Sequence, residues 1–155
     1  MRNRRNIKAL LVCVVLLAGS IPAFAGDVFG GKVTEVRSAE IIVVDYGRGT
    51  YVVRIVGITA PQGRVADQAK EAVTKMLLGN TIHARFQGRN KNGEMVARVF
   101  VGEPGKDVGL ELVRSGLVRR LPGRDPDFEY KYGELIKAET EARQGKRGLW
   151  ATTLR

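Results

Sequence analysis

The fold is decided by residues 28–58, VFGGKVTEVRSAEIIVVDYGRGTYVVRIVGI, where β-branched and apolar residues recur in short runs. This pattern predicts three strands, over residues 31–36, 40–45 and 50–58. The second and third are separated by DYGRG at 45–49, a glycine-rich turn that suits a hairpin. The chain is therefore expected to open as a β-meander.

A helix and two further strands follow the meander. The break at Ala60-Pro61 precedes apolar residues at helical spacing, and the helix is expected to end before Gly79-Asn80. Strands are predicted over 81–87 and 95–101, joined by a tight turn at 89–93 that contains Asn-Gly. The helical spacing is set by Val65, Ala69, Ala72, Val73, Met76 and Leu77.

Two more helices are predicted in the last third of the chain. A short one covers 107–115 and ends at Gly116, a typical residue for a left-handed helix terminus. The last covers about 127–143. Five strands, with one helix after the third strand and two after the fifth, predict an α+β fold, a small closed or partly open barrel of the OB type.

The first 25 residues have the three zones of a secretory signal peptide. A basic stretch precedes an apolar run at 9–18 and the small-residue sequence AFA at 23–25. Cleavage is expected after Ala25, which leaves one domain over 26–155, secreted or periplasmic. The apolar run is shorter than the roughly 20 residues of a membrane span, so no stable membrane anchor is expected.

Composition limits the chemistry that is available. The 155 residues include one Cys and one His, and the only cysteine, Cys13, lies in the leader. A zinc cluster, a disulfide or a Cys/His nucleophile pair is therefore excluded from the domain. Four of the 26 basic residues also lie in the leader, which leaves 22 against 16 acidic residues, a net charge of +6. This excess favours a polyanionic partner.

Four segments of the domain form a distinctive series: VRIVGITAP at 53–61, GRNKNGEMVARVFV at 88–101, GLELVRSGLVRR at 109–120 and EARQGKRGLW at 141–150. In their order and spacing they resemble the staphylococcal (thermonuclease-type) nuclease family. The resemblance implies an OB-type barrel of five strands with three helices. It also implies hydrolysis of phosphodiester bonds in DNA and RNA with calcium, which needs oxygen ligands for the ion, a carboxylate base and two phosphate-binding arginines.

The carboxylates of the family's site are absent when its motifs are matched to this chain. The Asp-Gly-Asp-Thr run that carries the first metal ligand matches RSAE at 37–40, with Ala39 at the ligand position. Glu40 is expected to point to the opposite face, because successive side chains of a strand alternate. The second ligand and the base fall on TAPQ at 59–62, so Thr59 replaces the ligand and Gln62 the base.

One of the two arginines is also replaced. Arg54 is retained, but the turn that should carry the second arginine has Glu94 after Asn92-Gly93. We therefore expect the calcium site to be lost, with no metal or other cofactor bound, and Arg54 to form an ion pair with Glu94 in the emptied pocket.

A basic segment remains beside the pocket, although the aromatic residues of active relatives are missing after Gly116-Leu117. Arg119, Arg120 and Arg124, together with Arg54, could hold the backbone phosphates of single-stranded nucleic acid or another polyanion; the first three could equally form a solvated loop. The sequence favours an exported, monomeric, non-catalytic binding module. Two alternatives stay open, a metal-dependent phosphodiesterase with a rearranged site and an interaction domain of the cell envelope.

Overall fold

The computed structural model describes residues 28–122 and 132–151. Strands and helices alternate much as the apolar pattern predicts. The strands are β1 Val28–Val36, β2 Ile41–Asp45, β3 Thr50–Ile55, β4 Ile58–Thr59, β5 Thr81–Arg89, β6 Met95–Val101, β7 Lys106–Asp107 and β8 Arg119–Arg120. The helices are α1 Arg64–Leu77, α2 Val108–Arg114 and α3 Tyr132–Gln144, followed by a 3₁₀ turn at Gly148–Trp150.

Five long strands close into a barrel. They run in the order β3-β2-β1-β5-β6, with antiparallel neighbours, and a parallel pairing of β3 with β6 joins the two edges. Side chains alternate along the strands, so that Ile42, Val44, Val53, Ile82 and Val99 fill the interior. The predicted α+β barrel of the OB type with three helices is confirmed.

The predicted third strand, residues 50–58, is wrong after Ile55. The chain leaves the barrel at Gly57, which adopts a positive φ of 78°. Ile58 and Thr59 then form β4, which pairs with β8 in a separate two-stranded sheet. The apolar pattern does not reveal this break, because Val56 and Ile58, on opposite sides of Gly57, are both buried.

Helices α1 and α2 pack against the barrel, and α3 packs on α2. Ala69, Val73 and Leu77 form the buried face of α1, at the predicted helical spacing. Helix α2 is capped by Asp107, whose side chain accepts a hydrogen bond from the Leu110 backbone N–H. Helix α3 is described from Tyr132, so the predicted start at 127 lies outside the described residues. In the two described ranges, no helix is long and apolar enough to cross a membrane.

Two glycines bring the end of the chain against the turn after α2. The Leu149 N–H donates to the Gly116 carbonyl oxygen at 2.8 Å. A Cβ at Gly116 would lie 2.2 Å from the Arg147 carbonyl oxygen, and one at Gly148 would lie 2.4 Å from the Gly116 carbonyl oxygen. Only glycine permits this crossing, and it fixes Trp150 beside β8.

Candidate functional site

Arg54 lies near the end of β3, between its neighbours β2 and β6. Its guanidinium is held by two carboxylates. Nε donates to Oε2 of Glu94 at 2.8 Å, and Nη1 donates to Oε1 of Glu40 at 2.6 Å. The side chains are 28%, 17% and 17% exposed for Arg54, Glu94 and Glu40. The predicted ion pair between Arg54 and Glu94 is confirmed, and a second acid shares the same arginine.

The expected orientation of Glu40 is wrong. Residues 38–40 form a bend before β2, so the alternation of strand side chains does not apply to them. Ala39 is instead buried in the core, with 1% of its surface exposed. Glu40 points into the pocket, where its Oε2 accepts a hydrogen bond from the Ala60 backbone N–H at 2.9 Å. The position from which a carboxylate reaches the pocket is therefore 40 rather than 39.

Asn90 positions Glu94, a role that the sequence reasoning missed. Its Oδ1 accepts from the backbone N–H groups of Asn92 and Glu94, at 3.0 and 3.1 Å, and its Nδ2 donates to Glu94 Oε2 at 2.7 Å. Gly93 supplies the positive φ of 77° that the turn needs. An Asn two residues before Asn-Gly is a local turn signal, but its bond to the Glu94 carboxylate has no counterpart in the sequence pattern.

These contacts favour the charged forms of Arg54 and Glu94. The hydrogen bond from Arg54 lowers the pKa of the Glu94 carboxyl, and the bond from Asn90 and the more distant charge of Arg37 act in the same direction against partial burial. Partial burial lowers the pKa of Arg54, but its hydrogen bonds to Glu94 and Glu40 outweigh this and raise it. Two carboxylates and one guanidinium give the cluster a net charge of −1.

The side chains of this pocket do not fit a calcium ion. Calcium takes six to eight oxygen ligands, typically with several carboxylates. Both oxygens of Glu40 are already bound, by Arg54 and by the Ala60 N–H, and Glu94 Oε2 is bound by Arg54 and Asn90. Within residues 28–122 and 132–151, no three His, Cys, Asp or Glu side chains come together in a metal-binding group.

Two cavities share one wall, and the first of them reaches this cluster at Ala60, whose backbone N–H is bonded to Glu40. The first, the Gln62 cavity, has a volume of about 380 Å³ and is lined by Ala60, Pro61, Gln62, Arg119 and Leu149. The second, the Trp150 cavity, has about 350 Å³ and is lined by Thr59, Arg119, Arg120, Pro122, Glu139, Arg143 and Trp150. The pairing of Thr59 with Arg119 between β4 and β8 places Arg119 between them.

The four arginines expected to bind phosphate have different surroundings. Arg54 is neutralised by the two acids described above. Arg120 donates through Nε to Glu139 Oε2 at 2.9 Å and through Nη1 to the Tyr132 hydroxyl at 2.5 Å. Arg119 is exposed, and no carboxylate of the described chain lies within salt-bridge distance of it. Arg124 lies outside the described residues.

A closed five-stranded barrel, with an arginine near the end of its third strand and two cavities beside the β4–β8 sheet, defines a nuclease-like domain of the OB-fold class. The sequence model of the family described as "Staphylococcal nuclease homologue" matches residues 52–152, and the chain belongs to this family.

Relatives of the chain carry nuclease names. An "Uncharacterized endonuclease" of Escherichia coli O157:H7 is 28% identical over 142 residues, which cover 89% of this chain and 87% of the relative. "Probable endonuclease lcl3" of Pyrenophora tritici-repentis is 31% identical over 69% of this chain, and "Probable staphylococcal-like nuclease CAN1" of Oryza sativa is 26% identical over 79%. The matched part covers 44% and 34% of the last two relatives.

Proposed function

We propose that the protein is an exported, monomeric member of the nuclease family that binds nucleic acid, or another polyanion, without hydrolysing it. The proposal rests on the contacts that Arg54 makes with two carboxylates. The one phosphate-binding arginine that the family motif retains is bound by both Glu40 and Glu94. A phosphate that approaches this guanidinium meets a cluster of net charge −1, which is unfavourable by Coulomb's law.

The chemistry of the pocket also argues against hydrolysis. Gln62 stands where the family has its general base, and a neutral amide does not accept a proton from water. Loss of a general base typically lowers the rate by about 10²–10⁴, and loss of a donor that stabilises developing charge lowers it by about 10²–10³. The two effects need not multiply, but either is large enough to remove useful activity.

The net charge of +6 over 26–155 supports binding without catalysis. Cationic surfaces attract nucleic acid through its phosphates, and most of that affinity is independent of sequence. Arg119 is exposed at the junction of two cavities, where a phosphate can approach it.

A nuclease and binding assay tests this function. We expect the purified protein with calcium or manganese to leave single-stranded DNA intact, at the level of an EDTA control. We also expect it to bind the same DNA with an affinity that falls linearly on a log–log plot against salt, because counterions are released from the phosphates.

The two other functions are outcomes of the same assay. Cleavage that EDTA abolishes would overturn the proposal in favour of a phosphodiesterase with a rearranged site, which the presence of Glu40 in the pocket and the names of the relatives favour. An absence of binding even at low salt would favour a protein-binding domain of the cell envelope.

Export is tested separately. When the full chain is expressed in a bacterium with a periplasm, we expect the protein outside the cytoplasm to have the mass of residues 26–155, because the leader is removed after Ala25. Replacing the AFA sequence at 23–25 with larger residues is expected to block this processing. A cytoplasmic protein of full mass would contradict export.

A further inference from the structure

The Trp150 cavity is a basic concave surface in the described part of the chain. Three guanidinium groups line it, from Arg119, Arg120 and Arg143, against the single carboxylate of Glu139. Glu139 is committed to two of them, with Oε2 at 2.9 Å from Arg120 Nε and 3.5 Å from Arg143 Nη2. The described residues that line this cavity therefore carry a net charge of about +2.

Trp150 organises the two outer arginines. The guanidinium carbon of Arg143 lies 4.0 Å from the centre of the indole ring, and that of Arg119 lies 5.5 Å from it. A cation held against an aromatic ring keeps its N–H groups available at its edge. The side chain of Arg143 is 55% exposed, and Arg119 is exposed as well. Both are therefore positioned donors that can be reached from solvent.

The size of the two cavities indicates what they can hold. Each is at the lower end of the 300–1,000 Å³ or so that is typical of small-ligand pockets, so one nucleotide fits and a duplex does not. The two cavities adjoin at Arg119, so a single extended strand could pass from one to the other. The planar guanidinium fork matches the geometry of a phosphate group.

We infer that Arg119 and Arg143 bind consecutive internal phosphates of a single nucleic-acid strand that runs along the Gln62 and Trp150 cavities, displaced outward from the pocket of Arg54. This inference rests on the proposed function and assigns its binding surface. The aromatic Trp150 holds the arginines, and Glu139 keeps Arg120 in the wall of the cavity. The negative cluster of Glu40, Arg54 and Glu94 keeps the strand out of the former catalytic pocket.

The only tryptophan of the protein makes the site directly observable. The processed protein, residues 26–155, is titrated with an unlabelled 15-nucleotide oligothymidine that carries no terminal phosphate. The fluorescence emission of Trp150 is recorded. We expect saturable change in the emission, because phosphates arriving at Arg119 and Arg143 alter the charges beside the ring. The same oligonucleotide with a 3′ fluorescein reports total binding by anisotropy.

Double variants distinguish binding at Arg119 and Arg143 from attraction by the overall positive charge of the protein. In Arg119→Ala/Arg143→Ala the slope of log affinity against log salt is expected to fall by about 1.4, at about 0.7 per phosphate contact for a single strand. The matched control, Arg48→Ala/Arg85→Ala, removes two exposed arginines that line neither cavity and is expected to retain most of the slope. Arg119→Lys/Arg143→Lys retains both charges and is expected to restore the slope with weaker affinity.

The possible results test the binding surface and the proposed function separately. If the oligonucleotide binds by anisotropy while Trp150 emission and the Arg119/Arg143 variants are unchanged, this surface is wrong and nucleic-acid binding stands. If a duplex of the same length binds more tightly through the same arginines, the single-strand assignment is wrong. If nothing binds at low salt, both the surface and the proposed function fall.

Discussion

Arg54→Ala is expected to lower the free energy of unfolding by about 3 kcal/mol at pH 7, because it leaves two partly buried carboxylates facing one another without a counter-charge. Urea unfolding followed by Trp150 fluorescence measures the change. A neutral triple variant, Glu40→Gln/Arg54→Met/Glu94→Gln, is the matched control and is expected to regain most of the loss, since replacing all partners of a buried ion pair removes the unpaired charge.

The loss of unfolding free energy in Arg54→Ala is expected to become smaller as the pH falls. Because Arg54 lowers the pKa of Glu94 below its ordinary 4.5, the pair stabilises the fold above that value, and the stabilisation disappears as the pH falls through the lowered pKa. In Arg54→Ala the carboxyl of Glu94 is protonated more readily, which relieves the repulsion. The difference between the two proteins should therefore narrow from pH 7 to pH 3. A difference that stays constant or widens on acidification would contradict the ion-pair cluster.

Restoring the family's side chains is expected to produce the largest change in activity. The variant Glu40→Asp/Thr59→Asp/Gln62→Glu/Glu94→Arg should cleave single-stranded DNA with calcium at least about 10²-fold faster than the parent protein, since a base and a charge-stabilising donor return together. Cleavage is measured from the release of acid-soluble nucleotides, with EDTA as the metal-free control.

A charge-neutral set at three of these positions, with the neutral Gln62 retained, controls for the substitutions themselves. Glu40→Asn/Thr59→Asn/Glu94→Gln should remain inactive with calcium. Ala39→Asp is expected to unfold the protein rather than activate it, because residue 39 lies in the core and an unpaired buried carboxylate is strongly destabilising. A restored variant no faster than the parent would show that more than these side chains separates the chain from active relatives.

The barrel could be predicted from the sequence because its strands bury alternating apolar residues, and this alternation is visible along the chain. At Gly57 the alternation of apolar residues no longer predicts the structure correctly. The strand pattern continues across it, since Val56 and Ile58 are buried in different parts of the structure. Only tertiary pairing, of Ile58 and Thr59 with β8, distinguishes the two sides.

The site was only partly predictable. Arg54 and Glu94 were placed together because the matched motifs place both in one pocket, and their pairing follows from charge alone. Glu40 was misplaced because alternation holds inside a strand, while residues 38–40 form a bend. The bond between Arg120 and Glu139 joins β8 to α3 across 19 residues, and no periodicity in the sequence encodes it.

The crossing of Gly116 and Gly148 predicts which positions a mutational screen for DNA binding would identify. Neither glycine offers a side chain to a ligand, yet the crossing holds Trp150 against Arg119 and Arg143. Any larger residue at Gly116 must separate the two backbones and so move the ring away from β8. A selection for DNA binding should therefore return both glycines alongside the arginines, as positions that act at a distance from every phosphate.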